Sequence, residues 1–271
     1  MKIYQCFYKN GQENLLDKHF EKLDNTKNLK PELREYYLNK ICYEKATEQK
    51  LDLWGCFSIN YKSKMNISGI EIINSIKKNE GYDIYFFNPF YDASAHYYNV
   101  WENLYFHNNK SIKILEKLFP LLKIDLKNLY EPMNTDEMFY CCYFVANKRF
   151  WDGYNDIFLK YFESVDKLDD PIKKMHNFSF GYSKDNSLNF FPFIHERFFS
   201  SYIKIKKFKV FSFHYGDKRN SDNEEKKLDE LRKNAILEKN KHKLKEWIDK
   251  RCSYYNINNG LSNYFYKNID W

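Results

Sequence analysis

The sequence contains no pair of cysteines spaced as CxxC. Its six cysteines are Cys6, Cys42, Cys56, Cys141, Cys142 and Cys252, several of them inside apolar runs. Free cysteine in such surroundings behaves as a small hydrophobe, so neither a disulfide framework nor a cysteine metal site is expected. No apolar run approaches the ~18 residues that a membrane-spanning helix needs. The opening residues, MKIYQCFYKNGQ, hold too short an apolar stretch for a secretory signal. A cytoplasmic protein is therefore expected. The phosphate-cradling patterns GxxxxGK[ST] and GxGxxG, the nucleophile elbow GxSxG and the zinc-protease pattern HExxH are missing as well, which argues against those reaction classes. Internal repeats and low-complexity linkers are also lacking.

What the chain does hold is aromatic and charged. It has 24 Tyr and 24 Phe among 271 residues, with 20% aromatic and 30% charged overall. That mixture belongs to a folded soluble protein, because disordered chains are poor in aromatics. The length allows one large domain or two modest ones. A formal net charge of +7 favours anionic partners such as phosphates, nucleic acid or a lipid surface.

The stretch 81–92, GYDIYFFNPFYD, organises the rest. Gly81 leads into Ile84–Phe87, a run apolar on both faces, which predicts a central strand of a covered, mostly parallel sheet. Pro89 removes a ladder donor, so the strand should stop at Asn88. Asn88 and Asp92 then sit at a carboxyl edge, where open α/β sheets bind ligands. Further strands are predicted at 2–8, 52–59, 138–146 and 205–213. Between them the periodicity predicts a helix from Pro31, one opened by a Ser68–Glu71 capping box, one marked by Ile112, Leu115, Leu118 and Phe119, one along Phe150–Tyr161, and one opened by Pro192. Residues 96–109, rich in His, Tyr, Asn and Trp, suit a site-lining loop or short helix. Strands alternating with helices predict an α/β layer architecture. After about Asn220 the composition shifts: 222–251 reads as one long or two shorter charged helices, and 254–271 as an aromatic tail that could pack back.

Four groups of residues could carry chemistry. His195-Glu196-Arg197 lie in a helix that is otherwise apolar nearly all round, where a desolvated carboxyl has a raised pKa suited to proton transfer; a structural Glu–Arg pair is the plainer reading. His214, Lys218 and Arg219 flank a glycine after a strand and could hold a metal or phosphates, or form a solvated turn. Asn88 and Asp92 could share a hard cation, although one carboxylate is thin for that task, and turns favour both residues for local reasons. Asp24, Asn25 and Ser58 are further base or ribose contacts, or simple caps.

Several segments taken together, WGCFSINYKSK (54–64), GYDIYFFNPF (81–90), YNVWE (98–102), CCYFVANKRFW (141–151) and PFIHERFFSSYI (192–203), resemble in type and order those of bacterial glycosyltransferase-like proteins associated with capsule and lipopolysaccharide synthesis. The resemblance covers most of residues 1–215. It implies a GT-A-like fold: a nucleotide-binding mixed sheet, mostly parallel and flanked by helices. The division expected is a catalytic domain at 1–220 and a charged helical and aromatic C-terminal extension at 221–271. In GT-A enzymes an Asp-x-Asp after a central strand holds a divalent metal against the diphosphate. Here Phe87-Asn88-Pro89 stands there with only Asp92 nearby, so Mn²⁺ or Mg²⁺ dependence is expected to be weak. Any metal would fall to Asp92 and His214.

The expectation is a transferase moving a sugar from a nucleotide sugar to a glycan or lipid-linked glycan acceptor in surface-polysaccharide synthesis, with peripheral contact at the inner membrane face. Glu196 is the expected base and His195 the second choice. Asp24, Asn25, Ser58, Asn88, Asp92, His214, Lys218 and Arg219 are the expected donor-binding residues, with Lys218, Arg219 and His214 facing the diphosphate. A rival from another class is a non-catalytic module that binds single-stranded nucleic acid through basic and aromatic surface, which would show exposed stacking rings.

Overall fold

The computed structural model describes residues 1–90, 94–177, 180–183, 186–214 and 223–271, with the backbone alone for 180–183, 186–188 and 214. Eight strands are present: β1 (Lys2–Phe7), β2 (Glu21–Asp24), β3 (Leu53–Ser58), β4 (Ile84–Asn88), β5 (Phe144–Asn147), β6 (Phe180–Ser183), β7 (Asn186–Leu188) and β8 (Val210–His214). The helices are α1 (Arg34–Glu48), α2 (Tyr61–Met65), α3 (Gly69–Lys78), α4 (Val100–His107), α5 (Ser111–Leu121), α6 (Lys127–Tyr130), α7 (Lys148–Asp166), α8 (Asp170–Asn177), α9 (Phe191–Lys206), α10 (Asn223–Leu237), α11 (Lys241–Tyr255) and α12 (Gly260–Asn268).

Six strands form one sheet in the order β2-β1-β3-β5-β4-β8, and β6 and β7 pair separately. β1, β2, β3, β4 and β8 run in one direction and β5 runs against them, so the fold is the expected mostly parallel α/β sheet. Side chains alternate across a strand, and here both faces are covered. On β4, Ile84 and Phe86 join one buried cluster while Tyr85 and Phe87 join the other. That is why the run lacks alternation and why Pro89 marks its end. The capping box forms as predicted, Ser68 and Glu71 closing the first turn of α3. Gly55 is required where β3 meets β5, since a Cβ there would lie 2.1 Å from the Phe144 carbonyl oxygen.

Three features depart from the sequence reading. β2, a short edge strand, has only Leu23 buried, too little pattern to register. The apolar run 138–146 is strand only from Phe144, because Cys141 adopts φ 66° and breaks the extended chain before it. The charged residues 223–255 fold as two helices that share the main core: Leu228, Ala235, Leu244, Trp247 and Ile248 are buried in the same cluster as Trp54 and Phe86. α12 adds Phe265 to that cluster. Beneath it Arg251 meets Glu102 of α4 at 2.8 Å, with both side chains fully buried. The stretch 96–109 therefore faces inward along much of α4 rather than lining a site.

Candidate active site

At the carboxyl edge of the sheet a cavity of about 160 Å³ opens between β3, the N-terminal turns of α1 and α9, the lysine-bearing α2 and the segment before β5. Its position follows from topology. The chain passes from β1 out to β2 and returns through α1 to β3 on the other side of β1, so the strand order reverses there. Crevices at such reversals are where open α/β sheets bind ligands. The polar lining is Arg34, Glu35, Asn39, Ser58, Lys64 and Glu196, with Cys141, Tyr143 and Phe193 as walls.

Two lining residues hold backbone conformations that L-residues avoid. Arg34 has φ 48° and ψ −130°, and Cys141 has φ 66°. Such strain of order 1–3 kcal/mol per residue persists where the surroundings impose it, commonly at functional sites. Its consequence at Cys141 is visible: the Cys141 N–H turns toward α9 and donates to Glu196 Oε1 at 2.7 Å. Arg197 Nη1 donates to Glu196 Oε2 at 3.3 Å. Both carboxylate oxygens are thus engaged, yet the side chain keeps 29% of its surface and faces the cavity. The dry setting expected for Glu196 from the apolar helix is not what surrounds it, because position 196 lies on the stripe of α9 that looks into the opening.

Lys64 reaches across from α2. Its Nζ lies 3.5 Å from Cys141 Sγ and over the rings of Tyr143 and Phe90, 5.5 and 5.7 Å from their centroids. Burial pushes the Cys141 thiol up to about 12, with Glu196 adding, and burial also pushes the Tyr143 phenol up to about 12. Both are uncharged at neutral pH, so Glu196 is the Lys64 ammonium's anionic neighbour there. Burial pulls the ammonium down, but its neighbours outweigh that and raise it. Ser58 Oγ and Tyr143 Oη share a hydrogen bond of 2.7 Å on the β3 side.

Neither the family models nor the curated proteins match this chain. Among solved structures it is similar to the apo form of WbbM, a bifunctional glycosyltransferase, with a TM-score of 0.46 and 16% identity over 78% of this chain and 44% of that one.

Of the residues expected from the sequence, Ser58 and Glu196 line the cavity together. His195 does not. Its ring is enclosed by Tyr36, Tyr154, Phe158 and Phe191, its Nε2 is hydrogen-bonded to the Tyr154 hydroxyl, and burial holds it down to about 3. It is a neutral core histidine. Arg197 also turns inward, donating to Asn103 Oδ1 from Nε at 2.9 Å and to the Phe193 carbonyl at 3.2 Å, the structural part the sequence suggested. Asn88 ends β4 as expected, but its side chain is committed to the turn: Nδ2 donates to the Met138 carbonyl at 2.9 Å and Oδ1 accepts from the Phe90 N–H at 3.1 Å.

Asp24 ends β2 at the same sheet edge and caps the Thr26 N–H at 2.8 Å. Asn25 is buried, its N–H bonded to the Phe7 carbonyl. Neither lines the cavity. His214 pairs with Asn88 in the β4–β8 register; its side chain, and Asp92, Lys218 and Arg219 entirely, lie outside the described residues. Sequence reading missed Arg34, Glu35 and Lys64, which look like ordinary surface charges of α1 and α2. Only the strand order brings them to one opening. Among the described residues no group of three His, Cys, Asp or Glu side chains is placed to hold a metal ion, and with Asn88 committed to its turn the described part of the Asp-x-Asp position does not fit one. No described helix is long and apolar enough to cross a membrane.

Proposed function

We propose that this chain is a GT-A-like glycosyltransferase, moving a sugar from a nucleotide sugar to a hydroxyl of a glycan or lipid-linked glycan. The observation that carries the reading is the mixed charge of one cavity at the strand-order reversal: Arg34 and Lys64 beside Glu35 and Glu196. A ligand with a diphosphate at one end and a reacting sugar at the other uses both signs. The cations neutralise the charge that develops on the departing phosphate, and a carboxylate takes the proton of the attacking hydroxyl. Glu196 is the proposed base. Its contacts with the Cys141 N–H and Arg197 fix its direction toward the opening. Ser58 serves the donor, and Lys218 and Arg219, which follow β8 in the chain, are proposed as further diphosphate contacts.

The burial of the aromatics favours this reading over a nucleic-acid stacking surface. Among the described residues only Phe90, Phe106, Tyr254 and Tyr264 are exposed large rings. Divalent dependence is proposed to be weak; full loss of turnover in EDTA, restored by Mn²⁺, would contradict that. The surface-polysaccharide setting and contact with the inner membrane face belong to the same proposal, supported by exposed Tyr254 and Tyr264 on lysine-bearing helices. Interfacial rings and lysines suit anionic headgroups. Co-sedimentation with anionic vesicles should weaken in Tyr254→Ser/Tyr264→Ser, and unchanged binding removes those rings from the account. Thermal-shift screening against nucleotide sugars and oligonucleotides tests the function. A ligand at a hundred times its Kd stabilises by about 2.7 kcal/mol. Stabilisation by oligonucleotide alone would overturn the proposal.

A further inference from the structure

The first turn of α1 brings a second carboxyl to the opening. Glu35 and Glu196 line the same cavity of about 160 Å³ from two different helices. Their circumstances differ. Glu196 accepts hydrogen bonds on both oxygens, from the Cys141 N–H and from Arg197. Glu35 has no ion pair with a described residue, and its surface opens on the cavity. The charged groups that face it are Glu196 on α9, Arg34 on its own helix and Lys64 on α2. Cys6 and Tyr8 at the end of β1, Cys56 of β3, and Cys141, Cys142 and Tyr143 before β5 complete the surroundings. All six are raised and uncharged at neutral pH.

Enclosure in the protein raises the Glu35 carboxyl most, and the charge of Glu196 adds to it. Its own backbone N–H, Arg34 and Lys64 pull the other way without prevailing. Two carboxyls on one small cavity repel when both are ionised, so the one with fixed donors keeps the charge and the other keeps the proton.

We infer that Glu35 is the proton donor of this cavity, hydrogen-bonding the phosphate oxygen of a bound nucleotide sugar and protonating it as the sugar leaves. The inference rests on the proposed glycosyl transfer. In that step the bond from the sugar carbon to the phosphate oxygen breaks and its electron pair stays on the oxygen, which takes the Glu35 proton. A bond forms from the same carbon to the acceptor oxygen, whose proton passes to Glu196. Solvent then returns one proton from Glu196 to Glu35. The sum is glycoside and nucleoside diphosphate, with no oxidant or other reactant.

Two readouts test it on the full chain. Carbon-13 NMR of side-chain-labelled glutamates, without ligand, should show one resonance that titrates at higher pH than the others. It should vanish in Glu35→Gln and move to lower pH in Glu196→Gln. The second readout is nucleoside diphosphate release from whichever nucleotide sugar gives the largest thermal shift. Glu35→Gln should cut kcat by roughly 10²-fold or more with KM and melting temperature little changed, and Glu35→Asp, which keeps the acid, should recover part of it. A resonance lost in Glu35→Gln that titrates with the exposed glutamates overturns the inference, as does wild-type kcat in that variant. If no nucleotide sugar stabilises the wild type, the transfer reaction itself falls and the donor role falls with it, whatever the titration shows.

Discussion

Removing the guanidinium of Arg251 should destabilise the whole protein, not just its C-terminal helices. Arg251 lies under α11 with no exposed surface. It donates to Glu102 Oε2 at 2.8 Å, to Oε1 at 3.3 Å, and to Ser262 Oγ at 2.6 Å. Glu102 is equally buried, accepts the Tyr98 N–H at 2.5 Å and also bonds the Ser262 hydroxyl. The Arg251 guanidinium lies 4.7 Å from the Trp247 ring centroid, so four elements meet at one charge pair. Arg251→Ala leaves a carboxylate buried without its cation, which costs about 3–5 kcal/mol. For a chain of this size that lowers Tm on the order of 10 °C. Glu102→Leu with Arg251→Met removes both charges, and in a double-mutant cycle should cost well under the sum of the single variants. Urea unfolding should show one transition for wild type and variants alike. A cost under about 1 kcal/mol for Arg251→Ala, or strictly additive single variants, would refute the docking described here.

Two further predictions follow from the cavity and its surroundings. Glu196→Gln retains an acceptor for the Cys141 N–H and should fold, while turnover falls by roughly 10²–10⁴; near-normal turnover would remove Glu196 as the base. Asp229 accepts from Arg232 at 2.7 Å and from Thr135 Oγ1 at 2.5 Å. Burial opposes its ionisation, but Arg232 and these hydrogen bonds hold its carboxyl down to about 2. A depressed carboxyl stabilises above its unfolded value of about 4, and that gain is lost as pH falls through about 2. The stability difference between wild type and Asp229→Asn should therefore be at most about 2 kcal/mol at neutral pH and shrink between pH 4 and 2. A difference constant with pH would contradict the assignment.

Much of the sheet was legible because its signals are local. Pro89 stops β4, the Ser68–Glu71 box opens α3 and Pro192 sits in the first turn of α9, and each acts within a few residues. β2 and the break before β5 were not legible. The first rests on a single buried leucine, and the second on a left-handed Cys141 amid residues that favour strand. The cavity was half legible. Ser58 and Glu196 stood out as a polar strand end and a carboxyl in an apolar helix. Glu35 did not, since an acidic residue in a first helical turn is ordinary. Its meaning comes from α9, some 160 residues further along the chain, which tertiary structure alone brings near. His195 misled for the same reason: an apolar helix identifies a buried histidine but not the ring cage that makes it inert.

The most direct test of the central claim is titration calorimetry of nucleotide sugars into the wild type, Arg34→Ala, Lys64→Ala and, as a control outside the cavity, Lys123→Ala. A cation hydrogen-bonded to phosphate contributes about 1.5–3 kcal/mol. Each cavity variant should therefore raise Kd by roughly 10- to 100-fold, with the control unchanged. Wild-type affinity in both cavity variants, or no binding of any nucleotide sugar to the wild type, would contradict the account.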